Sequence, residues 1–563
     1  MDLKESFVKD LIKNEVVKPA DLALLKRRFA KKHRLSCPKN SALLKTYHDL
    51  LKQKRVNKNS SLERLLCTRE MRSLSGIVSV SVLTKPWPCP GRCLYCPDQK
   101  GLPKSYLQGE PAVMRAVANK FDPYLQVEAR LKSLEATGHT TAKIELIIIG
   151  GTWSFLPKEY QEWFVKECFR AVNNYGSNPK SPPEADQPKA GKTSTFAKVF
   201  DPESSDRRAS VGRQNLFKEQ RKNENAKRRI IGITVETRPD FIDGKEVKRL
   251  RELGVTRVEL GVQSLDDNVL KKNLRGHNVS ETARATKLLK DACFKICYHM
   301  MPNLLDSDLK KDEKMFAELF NNPDFQPDFL KIYPCVVVKQ APLYRLWLKK
   351  RYKPYTDRRL VDLLVKVKQK IPRYCRIIRI YRDIPSPQII AGSKISNLRQ
   401  VIAQELKKQR KQCSCIRCRE VRGNFSIKDK LRLFRQDYTA SGGREIFLSY
   451  EDKKRQKLFA LLRLRLKLWK VRPPTIFPAL KNAAIIREVH TYGRAIGFNE
   501  KTAASPQHRS LGRNLIKEAE KISREQGFKK IAVISGIGAR NYYRRLGYRL
   551  KNTYMVKSLA PEK

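Results

Sequence analysis

The stretch Lys85-Pro-Trp-Pro-Cys-Pro-Gly-Arg-Cys-Leu-Tyr-Cys-Pro97 spaces Cys89, Cys93 and Cys96 as C-x3-C-x2-C. Three thiolates can hold three irons of a [4Fe–4S] cluster and leave the fourth without a protein ligand, whereas purely electron-carrying clusters usually have four cysteines. An open iron can chelate S-adenosylmethionine (SAM), and one electron then cleaves the sulfonium to a 5′-deoxyadenosyl radical. A zinc knuckle or three unrelated thiols are the alternatives. The alternating apolar segment 77–83 runs straight into this Pro/Gly-rich loop, which favours the cluster.

The charge of the chain indicates a polyanionic partner. Its 563 residues are enough for two or three domains, and 117 Lys+Arg against 57 Asp+Glu give a formal net charge of +60. That excess exceeds ordinary solubility charge, so nucleic acid is the first candidate. Adaptation to a salty or hot cytoplasm is the alternative source of the charge.

The cysteines and the N-terminal sequence indicate a cytoplasmic protein. The segment from Met1 to Asp10 lacks the apolar core of a signal peptide, and no stretch has transmembrane length, so we expect no membrane partner. Thirteen cysteines without an export signal point to a reducing compartment, where clustered thiols bind metal rather than pair.

The first 400 residues divide into two regions. Residues 1–60 predict short helices rich in lysine and arginine, which either face a phosphate backbone or form the solvated side of a small bundle. From about 61 to 400, apolar strands at 144–149, 230–234, 258–264 and 295–301 alternate with helical stretches, which predicts an α/β fold of parallel βα units. Residues 177–228 interrupt this order with little apolar periodicity, and we predict a mostly disordered insertion.

A second thiol cluster follows, in a linker at 401–424. Cys413, Cys415 and Cys418 form a C-x-C-x2-C pattern that suits a structural zinc site with an unidentified fourth ligand. Reduced thiols without metal are the alternative.

The last third, about 425–563, predicts a separate α/β unit. A strand at 483–493 is followed by a polar loop ending in Ser510-Leu511-Gly512, a helix from 513 to 526, and the sequence Asn541-Tyr542-Tyr543 through Tyr548. A loop that opens a helix can present backbone N–H groups to a pyrophosphate. This arrangement resembles the coenzyme A site of GNAT acetyltransferases.

Taken together, these motifs resemble a known family. The cysteine spacing is that of radical-SAM enzymes, and its pairing with a GNAT unit is similar to the catalytic subunit of Elongator, of the single-subunit archaeal and bacterial type. The resemblance covers nearly the whole chain, including the collinear segments 75–86, 110–116, 121–124, 150–152, 236–240, 261–264, 275–277, 331–334, 382–385, 447–452 and 532–536. It implies a partial TIM-barrel radical-SAM domain, a C-terminal GNAT acetyltransferase domain and a basic helical N-terminal region.

The resemblance also implies a reaction, which is carboxymethylation of the wobble uridine of tRNA. Acetyl-CoA would be held by the C-terminal and radical domains, the deoxyadenosyl radical would remove hydrogen from its methyl group, and the carbon would add to C5 of uridine before thioester hydrolysis. The anticodon stem-loop of tRNA would bind the basic helices and present a splayed-out base.

The site residues follow from the same resemblance. Gly150 and Gly151, at a strand end, would permit close approach of the SAM amino acid moiety, with Glu236 and Gln263 at neighbouring strand ends. Lys143 would reach acetyl-CoA near the domain junction, and Tyr543, with Tyr542 beside it, would lie at the thioester. The remaining coenzyme A contacts would come from Glu488, Val489, His490, Thr491, Leu511, Gly512 and Arg513.

Two alternatives and one departure remain. The chain could be a protein lysine acetyltransferase with a structural iron–sulfur domain, or a tRNA-binding scaffold; Glu236 and Gln263 weigh against the first and the intact Cys89 triad against the second. Ser510 stands where the coenzyme A loop normally has glycine, and its Cβ is expected to crowd the pyrophosphate, although its hydroxyl can donate to phosphate.

Overall fold

The computed structural model describes residues 2–176, 202–422, 430–467, 476–493 and 510–559, with the side chains of 202–211 excepted. Four helices form an N-terminal bundle: α1 (Leu3–Lys13), α2 (Pro19–Lys32), α3 (Asn40–Lys52) and α4 (Ser60–Leu66). Their apolar faces meet in a small core around Phe7, Leu43, Tyr47 and Leu62. The lysines and arginines of the second helix therefore remain at the surface.

The central region is a half-barrel of seven parallel strands in the order β1-β2-β3-β4-β5-β6-β8. These are β1 (Val78–Leu83), β2 (Lys143–Ile149), β3 (Arg229–Thr237), β4 (Arg257–Gln263), β5 (Lys295–Met300), β6 (Phe329–Ile332) and β8 (Arg376–Arg379). Two short strands, β7 (Val337–Val338) and β9 (Ile389–Ala391), pair with each other beside it. Every predicted strand of this region is present.

Helices cross between the parallel strands and cover the outer face of the sheet. They are α5 (Pro111–Ala118), α6 (Pro123–Ala136), α7 (Lys158–Asn174), α8 (Pro202–Asn223), α9 (Gly244–Glu252), α10 (Asp267–Lys272), α11 (Val279–Asp291), α12 (Leu309–Asn321), α13 (Leu343–Leu348), α14 (Asp357–Lys370), α15 (Leu398–Lys408) and α16 (Ile416–Arg419). Local sequence starts several of them: Asn278 and Glu281 form a capping box at α11, and proline occupies the first turn of α5 and α6.

Helix α8 corrects the prediction of disorder for residues 177–228. Residues 177–201 lie outside the described residues, but 202–223 are helical and Leu216 is buried. Asn223 donates to Asn173 at 2.7 Å and accepts from the backbone N–H of Ile230 at 2.8 Å, so the helix leads directly into β3. Polar side chains make these contacts, which is why the segment lacks an apolar period.

The C-terminal unit is a second seven-stranded sheet in the order β10-β11-β12-β13-β14-β16-β15. Its elements are β10 (Leu431–Ala440), β11 (Gly443–Asp452), β12 (Leu458–Leu466), β13 (Ala483–Thr491), α17 (Leu511–Glu525), β14 (Lys530–Val533), α18 (Arg540–Arg544), β15 (Arg549–Lys551) and β16 (Tyr554–Ser558). All pairs are antiparallel except β13 and β14, which are parallel.

Buried ion pairs join this sheet to the amino-terminal ends of the barrel strands. Asp328, which directly precedes β6, is fully buried and accepts from Arg487 Nη1 of β13 at 2.8 Å and from the Ile296 N–H at 2.9 Å. Arg487 Nε also donates to Glu445 at 3.1 Å, and Arg463 donates to Glu488 at 2.8 Å. Despite its burial, the pKa of Asp328 is held well below its usual range by these arginines.

Replacing Asp328 tests this junction. We expect Asp328→Ala to destabilise the protein by about 3–5 kcal/mol, because it leaves Arg487 buried without its partner. Chemical denaturation monitored by tryptophan fluorescence measures the loss. The control is Asp437→Ala, which removes a more exposed carboxylate from Arg435 and Arg444 and should cost at most about 1 kcal/mol. Equal losses in the two variants would contradict this account of the junction.

Candidate active site

A cavity of about 470 Å³ lies inside the half-barrel and opens at the carboxyl ends of its strands. Cys89, Cys93 and Cys96 line it, on the loop that follows β1. Gly151, Glu236 and Gln263, which follow or end the next three strands, line the same cavity. The structure therefore brings the three thiols and these strand-end residues together, as expected when parallel strands end at one edge.

The cysteine loop fits an iron–sulfur cluster. A Cβ at Gly91 would lie 3.6 Å from Cys93 Sγ and 3.7 Å from Cys89 Sγ, so glycine keeps the space between these thiols clear. Arg275 Nη1 donates to Cys93 Sγ at 3.6 Å, so a guanidinium group faces this sulfur. Burial and the neighbouring Cys93 raise the pKa of the Cys96 thiol to about 12, and binding of a metal cation would favour its thiolate.

Gly150 and Gly151 shape the rim at the end of β2. Both have positive φ, +135° and +99°. A Cβ at Gly150 would fall 2.0 Å from Thr84 Oγ1, which excludes any other residue there, whereas Gly151 faces the open cavity. Gln263 has φ +72°, an uncommon conformation for glutamine, and its Oε1 is buried without a hydrogen-bond partner in the described part of the chain. An unpaired buried amide oxygen on a cavity wall is suited to accept a hydrogen bond from a ligand.

Charged side chains continue down the interior of the barrel. Glu236 accepts from Tyr106 Oη at 2.8 Å and lies 3.4 Å from Lys331 Nζ, which also bonds Glu259. Glu259 in turn contacts His299 Nε2 at 2.9 Å. Although burial alone would raise it, Lys331 and His299 hold the pKa of Glu259 well below its usual range. Lys331, Glu259 and His299 were not among the site residues predicted from the sequence. The signal available for them is a charged or imidazole side chain at alternate positions of otherwise apolar strands.

Lys143 lies at the opposite end of the barrel from the cysteines. It begins β2, two residues before Glu145, which pairs with Arg257 Nη1 at 2.7 Å inside the barrel. Residues two apart share a strand face, so Lys143 belongs to the interior at the amino-terminal end. Burial lowers its pKa. The C-terminal sheet docks at this same end of the barrel.

The C-terminal sheet has a gap beside β13. Strands β13 and β14 pair only from Ala483 to Ile486, so among the described residues 487–491 have β12 on one side and no strand on the other. A Cβ on Gly512, in the first turn of α17, would lie 3.1 Å from Tyr542 Oη and 3.5 Å from Thr491 Oγ1. The predicted coenzyme A residues of β13, α17 and α18 therefore converge at this gap.

The individual residues around the gap lie in different environments. Tyr543 is 7% exposed and belongs to the apolar core, so Tyr542 is the tyrosine that reaches Gly512. His490 Nε2 contacts the carbonyl of Ser75 at 2.8 Å, and Glu488 lies 4.0 Å from Lys295 Nζ at the base of the barrel. Leu511 is buried, Val489 is half-buried and Arg513 is exposed. The loop residues 494–509 lie outside the described residues.

The second thiol cluster is compact. The Sγ atoms of Cys413, Cys415 and Cys418 lie within 4.8 Å of one another, beside β8, where the Ile416 N–H donates to Cys375 O at 3.0 Å. Within the described ranges, no fourth thiol, imidazole or carboxylate joins them. Two residues later Glu420 pairs with Arg376 of β8, which joins this part of the chain to the barrel.

Comparisons with known proteins agree with this geometry. The Radical SAM superfamily matches residues 89–316, and the Radical_SAM C-terminal domain matches residues 327–408. The tRNA uridine(34) acetyltransferase of Methanocaldococcus infernus is 40% identical over 526 residues, which are 91% of this chain and 91% of that protein. Elongator complex protein 3 of Homo sapiens is 36% identical over 576 residues, 98% and 96% of the two chains.

A solved structure has the same fold. The archaeal Methanocaldococcus infernus Elp3 with its N-terminus (1–46) deleted superposes with a TM-score of 0.68 at 37% identity, covering 86% of this chain and 100% of that chain. The half-barrel and the cysteine loop thus agree with the family of the relatives. The chain is a radical-SAM protein that belongs to the tRNA uridine(34) acetyltransferase (Elongator complex protein 3) family.

Proposed function

We propose that this enzyme forms 5-carboxymethyluridine at the wobble uridine of tRNA from acetyl-CoA. The observation that carries the proposal is one cavity that joins Cys89, Cys93 and Cys96 to a polar barrel interior, at whose amino-terminal end Lys295 of β5 lies 4.0 Å from Glu488 of β13. When bound there, a [4Fe–4S] cluster with SAM supplies a 5′-deoxyadenosyl radical. The products are carboxymethyluridine, coenzyme A, 5′-deoxyadenosine and methionine, with water consumed in thioester hydrolysis.

The C-terminal unit acts as the GNAT-type acetyl-CoA site. The free edge of β13 offers backbone groups to the pantetheine arm, and the first turn of α17, at Leu511, Gly512 and Arg513, faces the pyrophosphate. Tyr542 lies against this turn, with Arg513 and Arg545 near enough to oppose the rise in its pKa caused by burial. Glu488 and Lys295 mark where the arm meets the barrel interior.

Inside the barrel, the chain's own residues orient the reactants. Lys331 fixes Glu236 through an ion pair, and Tyr106 donates to the same carboxylate, so Glu236 presents a fixed acceptor to SAM. Lys143 and Arg257 provide cations at the base, where a thioester carbonyl enters. The basic N-terminal bundle binds the tRNA, and Cys413, Cys415 and Cys418 hold a structural zinc.

Removing one cluster ligand tests the radical half of the proposal. We expect Cys89→Ala to abolish carboxymethyluridine formation while leaving acetyl-CoA affinity unchanged, because the coenzyme site lies at the other end of the barrel. Anaerobic assays with nucleoside mass spectrometry, and calorimetry for binding, measure both. Cys37→Ala, at an exposed cysteine of the bundle, is the control. Carboxymethyluridine formed by Cys89→Ala would contradict the radical half of the proposal, whereas lysine acetylation by this variant without modified uridine would favour the protein acetyltransferase alternative.

Ser510 provides a test of the coenzyme site. It caps α17 with φ +55°, a left-handed conformation that costs a residue with a side chain about 1–2 kcal/mol and glycine almost nothing. We expect Ser510→Gly to lower the Kd for coenzyme A several-fold, because the loop reaches the pyrophosphate without this strain or a crowding Cβ. Asn482→Gly, with φ +56° before β13, is the matched control. An unchanged or higher Kd for Ser510→Gly would contradict the assignment of this turn.

A further inference from the structure

The half-barrel has an open side between its two edge strands, β1 and β8. The cavity extends to this opening, since its lining includes Ser79 and Ser81 of β1 on one side and Ile378 of β8 and Leu398 of α15 on the other. The opening is therefore an entrance to the interior, lateral to the cysteine loop.

Three arginines converge on the β1 side of this entrance. Arg115 of α5 donates from Nη2 to the Ser81 carbonyl at 2.7 Å, which covers the edge of β1, while its Nε is buried without a partner. Arg130 of α6 lines the cavity, and Arg72 lies close enough to lower the pKa values of both. In the described part of the chain, none of the three has a carboxylate within 4.0 Å.

The β8 side carries a second excess of positive charge. Arg399 of α15 donates from Nη2 to the carbonyls of Ile377 and Ile378, both at 3.2 Å, so arginine covers this edge strand too. Next to it Arg376, Arg417 and Arg422 share a single carboxylate, Glu420. Both borders of the entrance are thus electropositive.

Such an arrangement costs folding free energy. Half-buried guanidinium groups without anions repel one another, and burial and this repulsion lower the pKa of Arg130 to about 10. Covering the edge of β1 requires only Arg115; Arg72 and Arg130 have no hydrogen-bond partner among the described residues. Two cations that the fold does not use, at the mouth of a cavity, indicate a ligand that brings negative charge.

We propose that Arg72 and Arg130, together with Arg115, bind phosphates of an RNA strand whose base enters the barrel through the opening between β1 and β8. This inference rests on the proposed function and adds a phosphate site separate from the N-terminal helices. Guanidinium groups bind phosphate oxygens with two parallel donors, and three of them in a row suit consecutive phosphodiesters. Contacts of this kind fix the register of a strand while the base enters the cavity.

The phosphates of coenzyme A are the other source of this chemistry. They have a place of their own at the first turn of α17, beyond the amino-terminal end of the barrel. The arginine cluster instead flanks the side entrance, where Arg130 lines the cavity beside Ser79 and Ser81.

The test compares double variants of the full chain that each remove two positive charges. Arg72→Gln/Arg130→Gln alters the cluster, and Lys310→Gln/Lys314→Gln alters the exposed face of α12 as the control. Fluorescence anisotropy with labelled tRNA, repeated across salt concentrations, gives the Kd and its salt dependence. Coenzyme A affinity and 5′-deoxyadenosine formation from SAM without tRNA are measured in parallel to confirm that each variant folds.

We expect the arginine variant to bind tRNA about 25- to 60-fold more weakly at 0.1 M salt, with the slope of log Kd against log salt reduced by about 1.4–1.8, because two phosphate contacts are lost. The lysine control should change much less. Arg72→Lys/Arg130→Lys should restore most of the slope, since charge is retained.

Three results would overturn the inference. Equal losses of tRNA affinity in the arginine and lysine variants would show a general effect of net charge. Wild-type tRNA affinity in the arginine variant would show that these arginines do not bind RNA. A loss of coenzyme A affinity with tRNA binding intact would assign the phosphates to coenzyme A. Failure of the wild-type protein to bind tRNA would instead overturn the proposed function, and this inference with it.

Discussion

The buried carboxylate of Asp328 is the contact on which the relation between the two sheets depends. It receives Arg487 from β13, and Arg487 also holds Glu445 of β11, so one ionic network joins β6 to two strands of the C-terminal unit. Because charges in a low-dielectric interface are costly when unpaired, the network tolerates one docking geometry. That geometry places the free edge of β13 at the amino-terminal ends of the barrel strands and Glu488 next to Lys295.

This docking gives the barrel interior two ends with different chemistry. The cysteines and strand-end residues occupy the carboxyl end, as in other parallel α/β folds. The coenzyme gap occupies the amino-terminal end, separated by the length of a strand, about 20 Å for six residues. Paired charges, Arg257 with Glu145 and Lys331 with Glu259, line the interval and keep it polar. Under the proposed function, a thioester would enter at the amino-terminal end, SAM would bind at the carboxyl end, and the nucleobase would come through the opening between β1 and β8.

Much of this could be predicted from the sequence because the decisive signals are local. One edge of a parallel sheet can be recognised from the C-x3-C-x2-C spacing, the apolar strands and the glycines at their ends. This does not require knowing which strands pair with each other. The interior charges could not be assigned, since Lys331 and Glu259 are adjacent only through strand pairing. Helix α8 was predicted as disorder because its contacts to Asn173 and Ile230 are polar. Tyr542 and Tyr543 look alike in sequence, and only the helix rotation places one of them in the core.

The central claim is that the acetyl methyl group of acetyl-CoA meets the radical inside the barrel. Anaerobic turnover with SAM, dithionite, tRNA and acetyl-CoA carrying a trideuterated methyl group tests it directly, with mass spectrometry of both products. The account predicts one deuterium in 5′-deoxyadenosine and two in the carboxymethyl group of the modified uridine. Unlabelled 5′-deoxyadenosine formed alongside modified uridine would contradict it, because the hydrogen would then come from another donor.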